Sequence, residues 1–154
     1  MSAPKVELRP MSAAEYPAWK EQLATGFAAA IGPARGLAAD EALKIAFAET
    51  EKLLPDGPDT EQQLIWVAVA DGEPVGSLWI GMQARKPFVY SIEVSAAQRG
   101  KGYGRAIMLA AEEECRRRGH NELELNVFAD NPSAIALYNS LGYAVTAQQM
   151  RKSL

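Results

Sequence analysis

Residues 88 to 118 leave this chain few architectures to choose from. Phe88-Val89-Tyr90-Ser91-Ile92-Glu93-Val94 is dense in aromatic and branched residues and reads as a strand in the middle of a sheet. It feeds Gln98-Arg99-Gly100-Lys101-Gly102-Tyr103-Gly104, and a helix pattern opens at once, with Tyr103, Ile107, Ala110, Ala111 and Cys115 on one face. Arg116-Arg117-Arg118 suits the negative end of that helix, and Gly119 ends it. Leu123, Leu125 and Val127 then alternate with Glu122, Glu124 and Asn126, so a second strand follows directly. A strand, a helix and another strand in this order imply a right-handed parallel crossover.

The remaining segments surround that unit. Val6 to Arg9 reads as a short strand, and Ser12 with Glu15 has the spacing of a capping box. A helix is expected from there to about Ala30, with Trp19, Leu23, Phe27 and Ile31 recurring every four residues. A second helix is expected from about Asp40 to Pro55, burying Leu43, Phe47, Thr50 and Leu54 together with Ala42, Ala46 and Leu53. Gln63 to Ala70 and Pro74 to Gly81 are strand-like runs joined by Asp71-Gly72, a strong hairpin signal. Asn131 followed by Pro132 starts a short helix with Ala134, Leu137, Tyr138 and Leu141 on one face, and Tyr143 to Met150 is expected to supply a last strand. The expected class is α/β with a mixed sheet, in one domain spanning 1–154.

Charge locates the chemistry. The chain carries 16 Lys and Arg against 19 Asp and Glu, which disfavours a general nucleic-acid binder, yet residues 98–119 hold six of the cations and only three acids. The segments 1–60, 61–97 and 120–154 are each net negative. The glycines let backbone pass close to a ligand, and the first N–H groups of the following helix have no intrahelical partner, so an anion such as a pyrophosphate fits here. The order of elements argues against a dinucleotide-binding fold, whose glycine turn follows the first strand of a doubly wound sheet. A nucleoside-triphosphate loop would need Gly-Lys-Ser/Thr, which is missing from this sequence.

Two motifs resemble a known family. Arg99-Gly100-Lys101-Gly102-Tyr103-Gly104 is similar to the Arg/Gln-x-x-Gly-x-Gly signature of the GNAT superfamily of acyl-CoA-dependent N-acyltransferases. Asn131, Ala134, Tyr138, Gly142 and Tyr143 resemble the block that closes the family's shared half. The resemblance implies a largely antiparallel sheet flanked by helices, with a splayed parallel pair at its centre. It implies acetyl-CoA as acyl donor, pantetheine along Ile92 to Val94, and pyrophosphate on Gln98, Arg99, Gly100, Lys101, Gly102, Tyr103 and Gly104. Arg105 would assist the phosphates, and Asn131 would touch the cofactor or simply cap its helix.

Tyr138 matches the family's usual general acid, although tyrosine on an apolar helix face is ordinarily core. Glu93 interrupts an apolar strand where a carboxylate would border the thioester, so it is the candidate base, with solvent exposure or electrostatic binding of a cationic substrate as the alternatives. The expected reaction is direct acetyl transfer to a primary amine, of a small molecule or a protein, in a ternary complex. The rival reading is a non-catalytic acyl-CoA sensor. A homodimer is a further expectation drawn from the family.

Composition sets the remaining bounds. With one Cys and one His the chain has no internal disulfide and no structural zinc cluster, so a metal-free, reducing, cytoplasmic setting is expected. Residues 1–11 hold no apolar run of a secretory leader, and Leu64 to Ala70 is far shorter than the roughly 20 residues of a membrane span. Cys115, Trp66 and Trp79 are expected in the core, and His120 outside the site.

Overall fold

The computed structural model describes residues 4–83 and 85–154. Strand β1 (Glu7–Pro10), helices α1 (Tyr16–Arg35) and α2 (Ala39–Leu53), and strands β2 (Gln63–Ala70), β3 (Glu73–Gly81) and β4 (Phe88–Val94) come first. Helix α3 (Tyr103–Arg117), strand β5 (Glu124–Leu125) and helix α4 (Pro132–Ser140) complete the order, with 3₁₀ turns at Gly57–Asp59 and Ala96–Gln98. The five strands form one sheet in sequence order, antiparallel from β1 to β4, with β4 and β5 parallel. Among the described residues, no helix is long and apolar enough to cross a membrane.

The start of α1 is fixed by its sequence. The Ser12 N–H donates to Glu15 Oε1 at 3.0 Å and the Glu15 N–H donates to Ser12 Oγ at 3.2 Å, the reciprocal capping box. Two donors of the Arg9 guanidinium reach the same carboxylate, at 2.8 and 2.9 Å, and hold its pKa down to about 2.

Helices cover both faces of the sheet, over separate cores. On one face Ile107, Met108, Ala111 and Cys115 of α3 and Tyr138 of α4 pack on Trp66, Leu78, Ile80 and Val89. On the other, Tyr16, Trp19 and Leu23 of α1 cover Ile65, Val67 and Trp79, and the Trp19 indole donates to Ser77 Oγ at 3.2 Å. A third cluster, Ala24, Ala28, Ile31, Ala42 and Ala46, lies between α1 and α2.

Four expectations are corrected. Helix α1 runs past Ala30 through Pro33 and stops where Gly36 turns left-handed at φ 69°. Helix α2 buries Ala42, Ala46 and Thr50, while Leu43 and Phe47 stay 37% and 36% exposed. Small residues win that face because they let the two helices approach closely: a Cβ on Gly32 would stand 3.6 Å from Ala42 Cβ. The strand at 123–127 is regular only at Glu124–Leu125. Tyr143 to Met150 forms no strand; Tyr143 packs against Tyr138 and donates to Glu112 at 3.0 Å, and residues 144–150 run exposed. A two-residue β5 offers no long edge for that segment to pair with.

Candidate active site

The site begins with a phase shift in β4. Trp79 pairs with Ser91 but the next residue, Ile80, pairs with Val89, so Tyr90 is an extra residue on β4. A strand without this bulge would put Val89, Ser91 and Glu93 on one face. With it, Val89, Ile92 and Val94 all join the α3–α4 side, and Tyr90 stacks on Trp79 on the α1 side at 4.6 Å. Glu93 pairs with Ser77, whose hydroxyl meets Trp19, so Glu93 faces α1 as well. Its Oε1 lies 3.4 Å from where a Cβ on Gly26 would stand.

The second element is the splay. β4 pairs with β5 only at Phe88–Glu124 and Val89–Leu125, so among the described residues Tyr90 to Val94 have no strand neighbour on that side. A groove of about 350 Å³ opens there, floored by Ile92 and Val94 and rimmed by Gln98, Arg99, Gly100, Gly102, Tyr103 and Gly104. Asn131 and Tyr138 line it too. So do Ser133, Ala134 and Leu137, to which the sequence reading gave no place in the site although Ala134 belongs to the second motif, and which the helical spacing from Asn131 could have supplied.

The third element is the helix end. Gly100 and Gly102 hold φ 77° and 86°, conformations that a side chain strains, and Gly102 is the N-cap of α3. This N-cap has no side-chain hydrogen bond and no acid follows in the first turn. The first helical donor to find a carbonyl is Ala106, on Gly102 at 3.2 Å, and among the described residues the N–H groups of Tyr103, Gly104 and Arg105 before it have no partner. Uncapped donors, left-handed glycines and no acid suit a phosphate oxyanion, and a strand edge with no neighbour suits an amide-bearing chain. These observations fit the phosphates and pantetheine of coenzyme A.

Not every expected residue enters this groove. Lys101 donates to Gln98 Oε1 at 3.2 Å and Arg105 donates to Ser140 Oγ, and neither lines the groove. The Arg99 Nε–H donates to the Val94 carbonyl at 3.3 Å, which ties the turn to the end of β4. Asn131 caps α4 by accepting from the Ala134 N–H at 3.3 Å. Tyr138 is buried, which raises its hydroxyl pKa, and among the described residues that hydroxyl has no hydrogen-bond partner. Partial burial raises the Glu93 pKa, opposed by the Arg99 charge. No group of three or more metal-ligating side chains occurs among the described residues.

Known proteins are similar to this chain in sequence and fold. Residues 37–143 match the acetyltransferase (GNAT) family. YdgE, an uncharacterized N-acetyltransferase of Bacillus subtilis, is 37% identical over 109 residues, 68% of this chain and 69% of YdgE. The crystal structure of YycN, also from Bacillus subtilis, has a TM-score of 0.92 at 27% identity, covering 97% of this chain and 99% of that one. PaiA N-acetyltransferase from Thermoplasma acidophilum, crystallised with coenzyme A, shares the fold at a TM-score of 0.70 and 22% identity, over 97% of this chain and 94% of its own. The chain therefore belongs to the acetyltransferase (GNAT) family and is an acyltransferase.

Proposed function

We propose that the chain moves an acetyl group from acetyl-CoA directly to a primary amine, with both substrates bound at once. One observation carries this reading: the uncapped start of α3, the free edge of β4 and Tyr138 all face a single groove. Acetyl-CoA supplies a thioester whose carbonyl is open to a neutral amine. The main-chain N–H groups of the 98–104 turn hold the diphosphate, and the edge at Ile92 to Val94 aligns the pantetheine. In the transfer a C–N bond forms and a C–S bond breaks.

Protons have to move with these bonds. Tyr138 donates one to the departing sulfur, a task its burial suits by keeping the hydroxyl protonated. The acceptor nitrogen gives up two: one leaves as the amide forms and restores the Tyr138 hydroxyl, and one leaves earlier, when the ammonium becomes the free base. An alkylamine with pKa near 10.4 is neutral about once in 2,500 molecules at pH 7, so supplying the free base is worth roughly 4.6 kcal/mol. Glu93 on the α1 side takes that proton through water, and its raised pKa brings it nearer to the working pH. Holding both substrates in line supplies the rest of the acceleration. Residues 1–60 carry nine acids and six bases, which favours a cationic acceptor on that side.

The test is thiol release. The purified chain is incubated with acetyl-CoA and a panel of amines, and amine-dependent release of free CoA is the expected result. If CoA binds and no amine is acetylated, the acceptor reading fails and a cofactor sensor takes its place.

A further inference from the structure

Helix α1 carries a glycine that its own packing does not require. Gly26 sits in the middle of a 20-residue helix, where glycine is the weakest helix former after proline. Its backbone is not left-handed, and, outside its own stretch of helix, the only atom of the described residues within 4 Å of a Cβ built there is Glu93 Oε1, at 3.4 Å. Gly32, one and a half turns on, is different: its Cβ would meet both Ala42 and the Leu37 carbonyl, so it serves the approach of α2. The structural effect of glycine at 26 is therefore open room beside one carboxylate. Both residues are exposed, so that room is reached from solvent. Glu93 makes no hydrogen bond or ion pair with any described residue.

We infer that Gly26 is the specificity-determining residue for the acceptor: the gap over Glu93 receives a primary ammonium on an unbranched methylene. The inference rests on the reading that Glu93 borders the amine. A gap bounded by helix backbone admits a CH₂–NH₃⁺ end, such as a lysine side chain or a diamine. A carbon bearing a second substituent meets the helix, and an α-amino acid also brings its own carboxylate against Glu93. This chemistry separates side-chain amines from α-amino groups.

Steady-state kinetics with 1,5-diaminopentane and with alanine amide, alongside CoA affinity and melting temperature, tests it on wild type, Gly26→Ala and Gly26→Leu. Wild type is expected to prefer the diamine. Gly26→Ala is expected to melt higher, because alanine is the better helix former, yet to raise the diamine KM about tenfold, the scale of one methylene in a pocket. CoA affinity should stay unchanged, and Gly26→Leu should raise KM further. If Gly26→Leu does not fold, Gly26→Ala alone decides. A diamine KM within about twofold of wild type in a folded variant, or a wild-type preference for alanine amide, overturns the inference and leaves acyl transfer standing. A wild type that binds CoA and acetylates no amine overturns both.

Discussion

Gly76 stands opposite Val94 in the β3–β4 ladder, and a Cβ built on it would lie 2.2 Å from the Glu93 carbonyl oxygen and 3.0 Å from Ile107 Cδ1. Ordinary contact between such atoms is near 3.4 Å, so Gly76→Ala requires about 1 Å of movement between two hydrogen-bonded strands. The Ile107 side chain can turn aside; the Glu93 carbonyl belongs to the backbone and cannot. Overpacking of this kind costs about 1 to 3 kcal/mol, and the backbone partner puts Gly76→Ala at the upper end. For a chain of 154 residues, about 3 kcal/mol lowers Tm by roughly 6 to 12 °C. Gly104→Ala is the control, since its Cβ would meet Leu137 and Val94 at 3.5 and 3.9 Å. Thermal and urea unfolding should show a large loss for the first and a shift within about 2 °C for the second. A Gly76→Ala protein that melts with the control would refute the steric reasoning.

Three further outcomes are expected. Tyr138→Phe should lower kcat about 100-fold with CoA affinity nearly intact, because the hydroxyl bonds to no described residue; unchanged kcat would remove it as the acid. Glu93→Gln should slow amine acetylation yet melt at or above wild type at pH 8. A carboxyl whose folded pKa is raised loses folding stability as pH climbs through its titration, so the melting difference should close below about pH 4. Glu15 is the opposite case. Its folded pKa of about 2 is below the usual carboxylate value, so its contribution is present above about pH 4 and lost as pH falls towards 2. Solvent screening limits that contribution to about 0.5 kcal/mol, which urea unfolding of Glu15→Gln and wild type at pH 6 and pH 2.5 can measure.

Local chemistry carried most of the fold. Asp71-Gly72, the Ser12–Glu15 box, the Asn131 cap and the 98–104 turn each act over a few residues, and all could be read without tertiary context. Two things could not. The buried face of α2 depends on how near α1 comes, and helical spacing put Leu43 and Phe47 on one buried face with Ala42 and Ala46, whereas close approach keeps the alanines inside and leaves the two large residues out. The face of Glu93 depends on the extra residue at Tyr90, which follows from pairing with β3 and leaves no mark in β4 itself. Pattern reading therefore found Glu93 and Tyr138 without finding that they lie on opposite sides of one strand. Tyr143 to Met150 failed for a third reason: a run that could be a strand needs an edge to pair with, and β5 at the sheet's edge is two residues long.

The separate cores have an evolutionary consequence. Trp19, Leu23 and the alanine seam of α1 and α2 share no side-chain cluster with Ile107, Met108 and Tyr138; besides the sheet, the halves meet through Phe128, which packs on the seam, and Arg151, which donates to the Pro33 and Ala34 carbonyls. Away from those contacts, changes to the helical pair can accumulate without loosening the opposite half. One scaffold can thus keep its nucleotide grip while its choice of acceptor drifts.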